Sequence, residues 1–110
     1  MIGKTLAHYE IQEKLAQNLA LLGREDAAVR EAKLIVEQTK KDKFFGPSSL
    51  ETLARVFALI GRADEATDIL EQLLDTVYIN RITPHMLKVD PVWDPIREDP
   101  RFQALFPRNI

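Results

Sequence analysis

Three aspartates near the C-terminus are the residues best placed to do chemistry. The stretch KVDPVWDPIREDPRF, residues 88 to 102, holds Asp90, Asp94 and Asp99, each followed by a proline. Carboxylates this close could work as a general acid and base, or share a divalent cation. A calcium loop needs acids at alternate positions around a central glycine. Here the acids stand four and five residues apart, with prolines between them. A structural role accounts for them better. Aspartate caps helix N-termini, and proline is favoured at the next position, where its missing N–H is not needed. Each pair therefore predicts the start of a helical turn, and Pro95 confines any turn begun at Asp90 to about one revolution. Trp93, Ile96 and Phe102 are the apolar side chains these turns would aim, with Trp93 as a packing anchor.

The other reactive types are sparse. The two histidines, His8 and His85, have no second histidine at ligand spacing, and the chain has no cysteine, so no disulfide or thiolate metal site is available. Ser48 and Ser49 have no histidine near them in sequence to serve as a base. With four glycines in all, no glycine-rich phosphate loop is present, and no cofactor is expected. A small helical enzyme is the least favoured function class.

Composition narrows the rest. The 110 residues suit one domain, and 45% apolar with 29% charged residues suits a folded rather than a disordered chain. The net charge is −2, with both signs interleaved, so nucleic-acid binding by phosphate neutralisation is not expected. The basic run Lys40-Lys41-Asp42-Lys43 is broken by an acid and reads as a solvated helix end. No apolar run approaches the roughly 18 residues of a membrane span, and the N-terminus lacks the apolar core of a signal peptide. The expectation is a cytoplasmic protein without a membrane partner.

The elements that position these residues are helical. LALLGREDAAVREA and FALIGRADEATDIL align at an offset of 38 residues: Leu15 on Leu53, Ala16 on Ala54, Leu19 on Phe57, Gly23-Arg24 on Gly61-Arg62, Asp26 on Asp64, Ala28 on Ala66. An internal repeat of this length predicts a helical array. In each copy a glycine closes one helix and a second helix follows. Ile11, Leu15, Leu19 and Leu22 line the first helix of copy one, and Ala28, Ala32, Ile35 and Val36 line its second. Leu50, Leu53, Phe57 and Ile60 line the third helix, and Ala66, Ile69, Leu70, Leu73 and Val77 the fourth. Ser48 and Glu51 form a capping-box pattern at the start of the third helix, after a turn Phe44-Phe45-Gly46-Pro47. Thr83-Pro84 predicts a short helix through Met86 and Leu87, ahead of the Asp-Pro turns. No alternating stretch suggests a sheet.

These features resemble the tetratricopeptide repeat. Leu15-Ala16 and Leu53-Ala54 fall where that motif has its Leu-Gly pair, Leu19 and Phe57 at its central aromatic position, Gly23 and Gly61 at its mid-repeat glycine, and Ala28 and Ala66 at the first alanine of its second helix. The chain departs from the motif at the tryptophan position, which is Gln12 and Leu50, in lacking the closing proline, and in its spacing, 38 against about 34 residues. The segment LKVDPVWDPIREDPRFQALF is similar to the end of such arrays at the C-termini of multidomain bacterial kinases, cyclase-like proteins and transcriptional regulators. The resemblance implies an all-α solenoid of antiparallel helix pairs: repeat one over about 4–43, repeat two over about 47–79, and a helical cap over about 83–107. It implies a non-catalytic protein–protein interaction module, belonging to a larger bacterial signalling or regulatory protein. The motif's peptide groove would carry Glu13, Gln17, Ala20, Glu51, Arg55 and Ala58. The partner would be a protein or peptide. The alternative is a structural module that dimerises or packs on an effector domain, since Leu6 and Ile11 face whatever covers the first helix.

Overall fold

The computed structural model describes residues 2–41, 45–75 and 83–106. The side chains of Leu6 and His8, together with Lys43, Phe44 and Val77, lie outside them. The described residues are all-helical, with no strand among them. Helix α1 spans Ile2–Leu21, α2 Glu25–Thr39, α3 Phe45–Leu59 and α4 Ala63–Leu74. A short helix α5, Pro84–Val89, a 3-10 helix, Pro91–Ile96, and a single turn α6, Pro100–Gln103, follow.

Two turns of identical construction make α1–α2 and α3–α4 into hairpins. Gly23 and Gly61 both adopt φ of +81°, the left-handed conformation that an L side chain resists. Beside them, the Arg24 N–H donates to Leu19 O at 2.9 Å and the Arg62 N–H to Phe57 O at 2.8 Å. These are Schellman closures, which satisfy carbonyls that the helix end leaves free. Each following helix opens with two acids, Glu25-Asp26 and Asp64-Glu65, complementing its N-terminal dipole. Ala28 and Ala66, one turn further on, are fully buried.

The helices pack in sequence. α1 lies on α2 and α3, α2 on α3, and α3 on α4. One core runs from Ala16 and Ala20 through Ala32, Leu53, Ala54, Phe57 and Leu70 to Trp93, Ile96 and Phe102. Several of its members are alanines, which lets helix backbones approach closely. Gly46 serves the same end, since a Cβ there would lie 3.1 Å from Thr39 O at the end of α2.

Three details differ from the sequence expectations. α3 begins at Phe45, so Ser48 stands inside the helix and forms no capping box; the Ser48 carbonyl instead accepts from the Thr52 hydroxyl at 3.3 Å. Pro47 falls within the first turn, where its missing N–H costs nothing. Along α1 the buried line is Ala16 and Ala20 with half-buried Leu19, whereas Ile11, Leu15 and Leu22 are exposed. The third difference is Asp94-Pro95. Asp90 and Asp99 are true caps, accepting from the N–H groups of Val92 (3.0 Å) and Arg101 (2.9 Å). Asp94 lies within the 3-10 helix, which runs straight through Pro95 to Ile96. Thr83 caps α5 as expected, its hydroxyl accepting from Met86 N–H at 3.2 Å.

Candidate partner-binding face

The C-terminal segment closes one end of the helix stack. Trp93 and Phe102 are fully buried, their rings 6.3 Å apart, and Phe106 meets Phe102 edge-on at 5.5 Å. The 3-10 helix lies on α3 and α6 on α4. Two arginines secure it, Arg97 within the segment and Arg101 to α4. Arg97 donates to the carbonyls of Leu87 (2.9 Å), Lys88 (2.8 Å) and Asp90 (2.9 Å), satisfying the end of α5. Arg101 reaches Asp68 at 2.6 Å and Glu71 at 3.5 Å on α4. The Trp93 indole N–H has no acceptor among the described residues. Its burial is therefore driven by the ring and not by a hydrogen bond.

The three tail aspartates are thus drawn to different partners. Asp90 binds Arg55, Asp94 binds Arg97 at 2.8 Å, and Asp99 caps α6. Among the described residues no three His, Asp or Glu side chains converge as a metal site requires.

The expected groove residues divide into two groups. Ala20 and Ala58 are buried in the core and present nothing to a ligand. Glu13 on α1 lies near Glu51 and Arg55 on α3, and Gln17 stands one turn along α1 from Glu13. Arg55 is the hub. Its guanidinium lies 3.3 Å from Glu51, 3.0 Å from Asp90, and 5.6 Å from the centre of the Trp93 ring. Both side chains of the Glu51–Arg55 pair are only 18% exposed. The Gln17 amide donates to the Glu13 carbonyl at 3.5 Å.

Electrostatics separates the two ends of this face. Burial pushes the Glu13 carboxyl above its ordinary value; Glu51 and Glu10 add to this, while the Thr52 hydroxyl and Arg55 oppose it. At Asp90 partial burial also works against the charge. There the Val92 N–H, Arg55 and Arg97 win, holding the carboxyl below its ordinary value. Glu13 is thus a carboxylate short of positive partners, and Asp90 is one well supplied.

Asp90, Thr52 and Arg97 belong to this region and were not anticipated. One signal points to the tail as part of this region. The 38-residue offset, applied once more, carries Gln17 to Arg55 and then to Trp93, and Ala20 to Ala58 and then to Ile96. The 3-10 helix therefore occupies, in sequence register, the place of a further first helix on α3. No protein-family model, curated protein or solved structure matches this chain. Among the described residues no helix is long and apolar enough to cross a membrane.

Proposed function

We propose that this chain is a non-catalytic protein-binding module, a short tetratricopeptide-like array whose recognition face is formed by Glu13, Gln17, Glu51 and Arg55. The observation that carries this reading is the convergence of Glu13 from one helix with Glu51 and Arg55 from another, with Gln17 one turn away. The matching Schellman turns, the buried Ala28 and Ala66, and the 38-residue register support an array. Glu10 and Glu51 add negative charge around Glu13, and the nearby Arg55 guanidinium is already held by Glu51 and Asp90. A peptide segment bearing lysine or arginine answers that excess of negative charge. The setting that the tail's resemblance suggests is a bacterial signalling or regulatory protein.

Selection from a displayed peptide library tests this. Basic peptides should emerge, and Glu13→Gln with Glu51→Gln should weaken their binding while the circular dichroism spectrum stays unchanged. Arg55 is avoided in this test because it also anchors the tail. Peptides indifferent to both substitutions would show that the face is not the recognition surface.

A further inference from the structure

Helix α1 is apolar on two sides. One side buries Ala16 and Ala20 against α2 and α3. On the other, Ile11, Leu15 and Leu22 are 68%, 44% and 75% exposed, with Leu21 bare beside them. Leu22 continues the helix, its N–H donating to Asn18 O at 3.0 Å. A helix with apolar stripes on two sides belongs between two layers, and among the described residues α1 has only one.

What fits this stripe is readable from the molecule itself. The positions 38 residues further on are Ser49, Leu53, Val56 and Ile60. There Ser49 is 1% and Leu53 7% exposed. The hairpin α1–α2 lies over that side of the molecule, with Thr39 of α2 hydrogen-bonded to Ser49 at 2.8 Å. A helical hairpin of this sequence therefore already covers this kind of surface once. Within the stripe, Ile11, Leu15, Asn18 and Leu22 follow intervals of four, three and four, the seam of a heptad pattern. These intervals read the same in both directions. An identical helix laid antiparallel thus sets Ile11 against Leu22 and Leu15 against Asn18. Head-to-tail stacking is closed off, because the tail with Trp93 and Phe102 fills the far end.

We propose that two copies of this chain associate about a two-fold axis, α1 antiparallel to α1, through Ile11, Leu15, Asn18 and Leu22. The contact is isologous, so it stops at a dimer and forms no filament. One helix face about 16 Å long, from Ile11 to Leu22, is small beside the roughly 800 Å² per partner of a standard interface, so weak, micromolar or poorer affinity is expected. The recognition face on the other side of α1 takes no part, and the two readings stand or fall separately.

Sedimentation equilibrium across roughly 5 to 500 μM spans the expected dissociation constant. The mass should rise from 12.6 kDa toward twice that value. Leu15→Glu with Leu22→Glu should hold it at the monomer value, with unchanged helicity because both sites are exposed. The chain has no cysteine, so single introduced thiols report geometry cleanly. A mixture of Leu15→Cys and Asn18→Cys chains should form a mixed disulfide, whereas Ile11→Cys alone and Val89→Cys on the exposed end of α5 should not link to themselves. A monomer at every concentration overturns the proposal, and so does a dimer that survives both glutamates. Efficient linking through Ile11→Cys overturns the antiparallel arrangement.

Discussion

Ile11 and Ser49 stand 38 residues apart, each twelve positions before the glycine that closes its helix, yet the first lies bare and the second is buried. The two hairpins share their turns down to the φ of the glycine and the Schellman bond beside it. They differ in what lies on either side. The α3–α4 hairpin has α1 and α2 on one flank and the tail on the other, so its helices are covered from both directions. The α1–α2 hairpin is covered from one direction. Burial in a stack is therefore set by neighbours, and the same local pattern yields a core position in one hairpin and a free surface in the other.

The largest expected contrast is between the two ends. Trp93→Ala removes a fully buried ring that touches Phe102 and Arg55, and should cost about 3–5 kcal/mol. Leu22→Ala at the open end should stay within about 0.5 kcal/mol. Urea unfolding of both variants measures the difference. Equal losses would mean that the closed and open ends are not distinct.

The turns should show the opposite, a likeness. Gly23→Ala and Gly61→Ala each place a Cβ on a left-handed residue with open space around it, so strain of about 1–2 kcal/mol is the whole cost. The two losses should agree closely in thermal melts. A large excess at Gly61 would show that the covered hairpin tolerates less backbone adjustment than the open one.

The buried hydroxyl pair probes the covered face alone. Ser49→Ala leaves Thr39 without its partner across the α2–α3 contact and should cost about 1–2 kcal/mol. Ile11→Ser, at the matching site in α1, should change monomer stability by less than about 0.5 kcal/mol. Chemical denaturation at low protein concentration keeps association out of the comparison.

Much of this was legible in the residues. Glycines at 23 and 61 marked the helix ends, and Thr83, Asp90 and Asp99 marked three caps, because these depend on short-range backbone chemistry. The start of α3 was misplaced for the same reason in reverse. Ser48 and Glu51 make a cap pattern, but the helix begins at Phe45, four residues before the start that pattern predicts, with Gly46 packed close to the end of α2. Periodicity marked an apolar line on α1 but could not say whether anything covers it. The face around Arg55 was half readable. Glu13, Gln17, Glu51 and Arg55 share one side of their helices by spacing. The hold of Asp90 on Arg55 joins residues 35 apart and leaves no local trace.

The smallest effect contrasts the two carboxylates of this face. The folded protein raises Glu13 above its ordinary value of 4.5 and lowers Asp90 below its ordinary 3.8. For Glu13 the favourable contribution is complete below the unfolded value and disappears as pH rises through the higher folded one. For Asp90 it is present above the unfolded value and lost as pH falls through the lower folded one. Acidifying from neutral should therefore first relieve the crowded carboxylate on α1, and only afterwards release the tail from Arg55. Glu13→Gln should remove the early gain, and Asp90→Asn the later loss. Stability measured as a function of pH for the parent and both variants separates the two windows. If the Glu13→Gln curve runs parallel to the parent through the first window, burial on α1, with Glu51 and Glu10 adding to it, does not disfavour the Glu13 charge, and the contrast with Asp90 is absent.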